Sequence, residues 1–208
     1  MLEKRGFAEY KDFDIALDKI LVGTKRKSFT TEHEIKKRTA VYQAGKAISS
    51  ILLKDADPIY KVSILPKGDK TSGAITKSEV DKLSNNKKQI RAILKVALAG
   101  RASESLFYNG GVSTRCEEDM QRASKITLSY MRKMAMDEEV SLISAEKEDL
   151  SEKFNQLLEE KGTDFLNEVY SETTKLITEN KSQIEKLADY LLSKETLSKD
   201  EVKEYLNI

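Results

Sequence analysis

The apolar positions of this chain recur mostly at helical spacing. From Phe7 to Val22, a broad apolar face runs through Phe13, Ile15, Ala16, Ile20 and Leu21, and Gly23 stops it. A second helix is expected from Thr31, boxed by Glu34, to about Leu53, with Val41, Ala44, Ile48, Ile51 and Leu52 as its buried stripe. Asp57-Pro58 ends it. Tyr60 to Leu65 alternates and is β-branched, so it reads as a strand. Pro66-Lys67-Gly68-Asp69 is a turn, and Gly73 to Thr76 a weaker second strand, which together make a small hairpin.

Helical period returns from about Ser84 to Tyr108 through Ile90, Ile93, Leu94, Ala97 and Leu98, with Gly100 and Ala102 small enough for close approach of another helix. After the Asn109-Gly110-Gly111 turn, Ser113-Thr114 is expected to cap a helix carrying Glu117, Glu118, Asp119, Ala123, Ile126, Tyr130, Met131 and Met134. The last third predicts a helix over Ala145 to Glu160, a break at Gly162 and a long amphipathic helix from Asp164 to Ser193. A short helix follows, capped by Ser198 and boxed by Glu201. The pattern predicts a mainly α fold with one small β-hairpin and a long C-terminal helical hairpin.

Composition narrows the picture. The 208 residues contain only two Pro and no Trp, and 34% are charged. Charge is nearly balanced, 36 Lys and Arg against 35 Asp and Glu, so no nucleic-acid partner is expected. The one Cys excludes an internal disulfide. No apolar run approaches the roughly 20 residues needed to span a bilayer, no Gly-rich phosphate loop is present, and the charged first residues do not read as a signal peptide. The chain is expected to be soluble.

Candidate chemistry sits in the second helix. Tyr42 and Lys46 are four residues apart and share a face, with Gln43 beside Tyr42. This is the spacing at which a helix offers two His ligands to zinc with a Glu general base between them, but all three residues differ. His33, the only His, lies in a first turn and reads as exposed or capping. The Glu117, Glu118 and Asp119 cluster is explained by the helix dipole alone. Cys116 shares a face with Asp119 and reads as a small buried residue rather than part of a substitute metal site.

Several stretches in the same order resemble the peptidase domain of the FtsH-type AAA+ zinc metallopeptidases. They are Asp14 to Ile20 with Arg26-Lys27-Ser28, Val62 to Gly68, Ala99 to Glu104, Ser113-Thr114 with Asp119 and Gln121-Arg122-Ala123, and Leu192 to Leu197. The resemblance implies that residues 1–28 are the end of an ATPase lid helix and its connector, and 29–208 the peptidase domain. It also implies that Tyr42, Gln43, Ala44, Gly45 and Lys46 fill the family's His-Glu-Ala-Gly-His motif. Tyr42 and Lys46 then replace two zinc ligands, Gln43 replaces the general base, and Asp119 remains as the third ligand position. Gly73, Ala74 and Ile75 match the substrate-docking strand, with Ala74 where the family has an aromatic.

The expectation is a proteolytically inactive domain with no cofactor. Its partners would be other FtsH-like subunits in a homo- or hetero-hexamer, the AAA+ ATPase domain of the same parent chain, and unfolded or membrane protein clients. The parent would be anchored in a bacterial inner, mitochondrial or plastid membrane. The alternative is an ATP-dependent zinc metalloendopeptidase with an atypical metal site.

Overall fold

A computed structural model describes residues 10, 12, 13, 16, 33–65, 74–77, 84–138, 140 and 142–207. The expected first helix (four of its residues aside), the Lys25 to Ser28 connector, the Thr31 cap, the Pro66 to Asp69 turn and Gly73 lie outside the described residues.

The central element is α1 (His33–Leu52). The sequence marks one apolar stripe on it, yet nearly every residue from Thr39 to Ser50 is buried, polar ones included. The reason is position: α2 (Lys87–Phe107) covers one side, α5 (Lys181–Lys194) another, and the sheet lies across its end. Leu52, expected in the stripe, is 38% exposed at the helix end.

The helix α2 separates two cores. Its Ala99 and Ala102 face α1, where Val41, Ala44 and Ile48 meet Ile184, Leu187 and Leu191 of α5. Its Ile90, Leu94 and Leu98 face α3 (Glu117–Arg132) and α4 (Glu152–Glu179), where Ala123, Met131, Leu158 and Val169 close the second core. Tyr130 stacks on Phe165 there, with ring centroids 4.9 Å apart. Small residues on one face and large ones on the other let α2 lie close to α1 and still fill the wider gap to α3 and α4.

The expected hairpin forms from β1 (Ile59–Ser63) and β2 (Ala74–Lys77), with a register irregularity between Ile59 and Lys61. A third strand, β3 (Thr196–Ser198), pairs antiparallel with β1 on its other side, giving the order β2-β1-β3. The sequence pattern misses β3 because a three-residue strand has no readable period. Its hydrogen bonds come from a partner far away along the chain. The closing helix α6 (Lys199–Leu206) begins with the expected capping box of Ser198 and Glu201.

Three boundaries differ from expectation. Gly162 does not end a helix: α4 runs through it to Glu179, and Asn180 separates α4 from α5. Gly162 faces α3 with room for a small side chain. A Cβ there would touch Thr127 Cγ2 at 3.4 Å and Met131 Cγ at 3.7 Å. The segment before Glu152 is not one helix with α4; it is a loop with a single 3-10 turn, Lys147–Asp149, and Ser151 caps α4. Met134 lies beyond the end of α3 and is exposed.

Candidate functional site

Tyr42, in the middle of α1, is buried on every side, and α2 makes room for it. A Cβ on Gly100 would lie 2.3 Å from the Tyr42 ring, so only glycine fits there. One turn along, a Cβ on Gly45 would overlap Ser103 Oγ at 1.8 Å. The two glycines therefore bring α1 and α2 into close contact on either side of the ring.

The phenol of Tyr42 donates a short hydrogen bond to Asp119 Oδ2 on α3. Lys46 Nζ donates to the same oxygen at 2.5 Å and lies 5.5 Å from the Tyr42 ring centroid. The Lys46 and Asp119 side chains are 15% and 18% exposed. Burial, followed by the neighbouring Asp119 charge, pushes the Tyr42 phenol far above its usual value. The phenol therefore stays protonated and remains a donor. Gln43 is buried beside this cluster in sequence, and its amide has no lone pair basic enough to take a proton from water.

Asp119 owes its position to a buried carboxylate that the sequence alone did not single out. Glu104 of α2 is fully buried. It accepts from Ser113 N at 2.8 Å, from Ser113 Oγ at 2.9 Å and from Arg115 Nη1 at 3.1 Å. The Ser113 hydroxyl therefore does not cap α3 as expected; it ties the Thr114–Cys116 turn to α2. The only sequence signal for this role is one acid directly after the small residues Ala99, Gly100, Ala102 and Ser103.

The remaining candidates scatter. His33 is exposed at the start of α1. Cys116 is buried, with its thiol donating to Ser113 O at 3.2 Å and Arg101 Nη1 3.7 Å away. Glu117 and Glu118 are exposed in the first turn of α3, where Gln121 Nε2 donates to Glu117 Oε1 at 3.1 Å. Ala74 and Ile75 lie in β2, with their backbones paired to Ser63 and Val62. A recess of about 430 Å³ lined by Lys37, Phe107, Lys181 and Asp189 lies between α1 and α5, away from this cluster.

The family model for peptidase family M41 matches residues 29–205. The chain belongs to this family. The ATP-dependent zinc metalloprotease FtsH of Neorickettsia risticii is 32% identical over 203 residues, covering 94% of this chain and 32% of that protein. FtsH of Borreliella burgdorferi is 33% identical over 211 residues, covering 94% and 33%. The mitochondrial ATP-dependent zinc metalloprotease FTSH 8 of Oryza sativa is 27% identical over 198 residues, covering 91% and 24%. The chain thus spans about a third or less of the length of these relatives and is an FtsH-type peptidase domain.

The relatives' names imply zinc, and the donors at this site do not fit it. A catalytic zinc site takes three protein ligands from thiolate, imidazole or carboxylate. Here Tyr42 offers a protonated phenol and Lys46 an amine, neither of them in that donor set, and both donate to the same oxygen of Asp119. Among the described residues no group of three or more His, Cys, Asp or Glu is placed to hold a metal ion. No helix among them is long and apolar enough to cross a membrane.

Proposed function

We propose that this chain is a proteolytically inactive FtsH-type peptidase domain, serving assembly, scaffolding or ATP-driven unfolding within an AAA+ ring. The observation that carries the reading is the Tyr42 and Lys46 pair closing on Asp119 Oδ2. It joins a phenol and an ammonium to the position where the resemblance puts the third zinc ligand. Without zinc there is no activated water, and without a carboxylate at position 43 there is no general base. Loss of either is expected to remove hydrolysis.

The packing between α1, α2 and α5 does not use the zinc chemistry, so the domain keeps the shape that ring contacts need. In this reading residues 1–28 are the end of an ATPase lid helix and its connector, and 29–208 form the peptidase domain. The ring is a homo- or hetero-hexamer with other FtsH-like subunits, driven by an ATPase domain on the parent chain. That parent is anchored in a membrane and takes unfolded or membrane proteins as clients.

The test is metal analysis of the purified chain together with cleavage of unfolded casein, with and without a zinc chelator. The expected result is zinc well below one per chain and no cleavage. Stoichiometric zinc with chelator-sensitive cleavage would establish instead an atypical metal site in an active endopeptidase. Co-expression with an active FtsH subunit tests the ring: mixed assemblies should recover both chains.

A further inference from the structure

We infer that Tyr42, Lys46 and Asp119 form a metal-free latch that holds α3 to α1, so that the fold at this site needs no divalent cation. The inference rests on reading the site as one whose metal chemistry is gone, and it concerns what now does the metal's mechanical work.

The helices α1 and α3 share no extended packing, because α2 lies between them and packs on both. A metal ligated from both helices would bridge that gap directly. In this chain the bridge is Asp119, which accepts from two residues of α1 one turn apart. The two donors are held together. The Tyr42 ring is held against Gly100, where any larger residue would collide with it. The Lys46 ammonium lies beside the same ring, 5.5 Å from its centroid.

The acceptor is fixed too. Asp119 is in the first turn of α3, where the helix dipole favours an anion. The turn before it is clamped to α2 by Glu104 through Ser113 and Arg115. Two helices therefore meet at one carboxylate oxygen, and α2 braces both of them, against the Tyr42 ring at Gly100 and against the turn before Asp119 through Glu104. Tyr42 and Lys46 each donate to Asp119, so restoring one histidine alone, by Tyr42→His or Lys46→His, leaves an incomplete zinc site and also removes a latch bond.

The test is a double-mutant cycle on the purified chain, read by urea unfolding in excess chelator and again in excess zinc. Lys46→Met keeps the length of the side chain, and Asp119→Asn keeps the shape of the acceptor. The expected result is one urea midpoint for the unaltered chain in both conditions. Asp119→Asn should shift the unfolding equilibrium roughly tenfold alone and much less in the Lys46→Met background. Tyr42→Phe, which deletes only the hydroxyl, supplies a milder variant if Asp119→Asn does not fold, and its effect should likewise shrink in the Lys46→Met background. Additive effects, or a midpoint raised by zinc, would overturn the latch. Additivity in a chain that binds no zinc and cleaves nothing sinks the latch alone; zinc-dependent cleavage sinks the proposed function instead.

Discussion

At the scale of single residues, the decisive contacts are between groups that sequence order keeps apart. Gly100 is a packing requirement of Tyr42. Gly100→Ala places a methyl group inside the ring and should cost about 1–3 kcal/mol in thermal or urea unfolding. Adding Tyr42→Ala to it should make the Gly100→Ala effect small, whereas an unchanged cost would mean that the glycine serves its own helix instead. Glu104 is the other residue whose role is invisible in sequence order. With Ser113 and Arg115 bound to it and no solvent reaching it, Glu104→Leu should destabilise by about 3–5 kcal/mol, because Arg115 is left as a nearly buried cation without its partner. Circular dichroism melts measure this directly. Helical spacing puts 42 and 46 on one face, and the structure brings both side chains to Asp119, which only the resemblance had singled out. The resemblance could not place Glu104, since nothing local to an acid in a helix says that two groups beyond the next turn will bind it.

At the scale of elements, α4 corrects a reading based on glycine. Gly162 sits inside a continuous helix, and the space between it and α3 accommodates a methyl group at ordinary contact distance. Gly162→Ala should therefore stabilise the chain, by up to about 1 kcal/mol through helix propensity, visible as a raised melting temperature. The pairing of α2 with α4 also has an electrostatic pin. Glu172 receives Arg91 Nη2 at 2.6 Å and Lys95 Nζ at 2.8 Å, and the Arg91 hydrogen bond above all holds its carboxyl down at about 2. The folded value lies below the unfolded one, so this contribution is complete above about pH 4.5 and is lost as the pH falls towards 2. Melting temperatures measured across that window should fall less steeply in Glu172→Gln. Equal slopes would show that solvent screens the pair to insignificance, as happens at many half-exposed ion pairs.

At the scale of the whole molecule, the periodic apolar pattern, the absence of Pro from the helices and the two capping signals at Glu34 and Glu201 were enough to establish a mainly α domain. The ordered set of short stretches was enough to point to its family, and the side-chain types at 42, 43 and 46, a phenol, an amide and an amine at fixed helical spacing, are read straight from the sequence. The third strand, the continuity of α4 and the all-round burial of α1 were decided only in three dimensions. Each depends on which distant element arrives: β1 beside Thr196 to Ser198, α3 beside Gly162, and α2 and α5 both packed on α1. The convergence of a phenol and an ammonium on one oxygen of Asp119 is of the same kind. The sequence determined which groups were present; the fold decided that they meet, because α2 is narrow enough at Gly100 to let α1 reach across to α3.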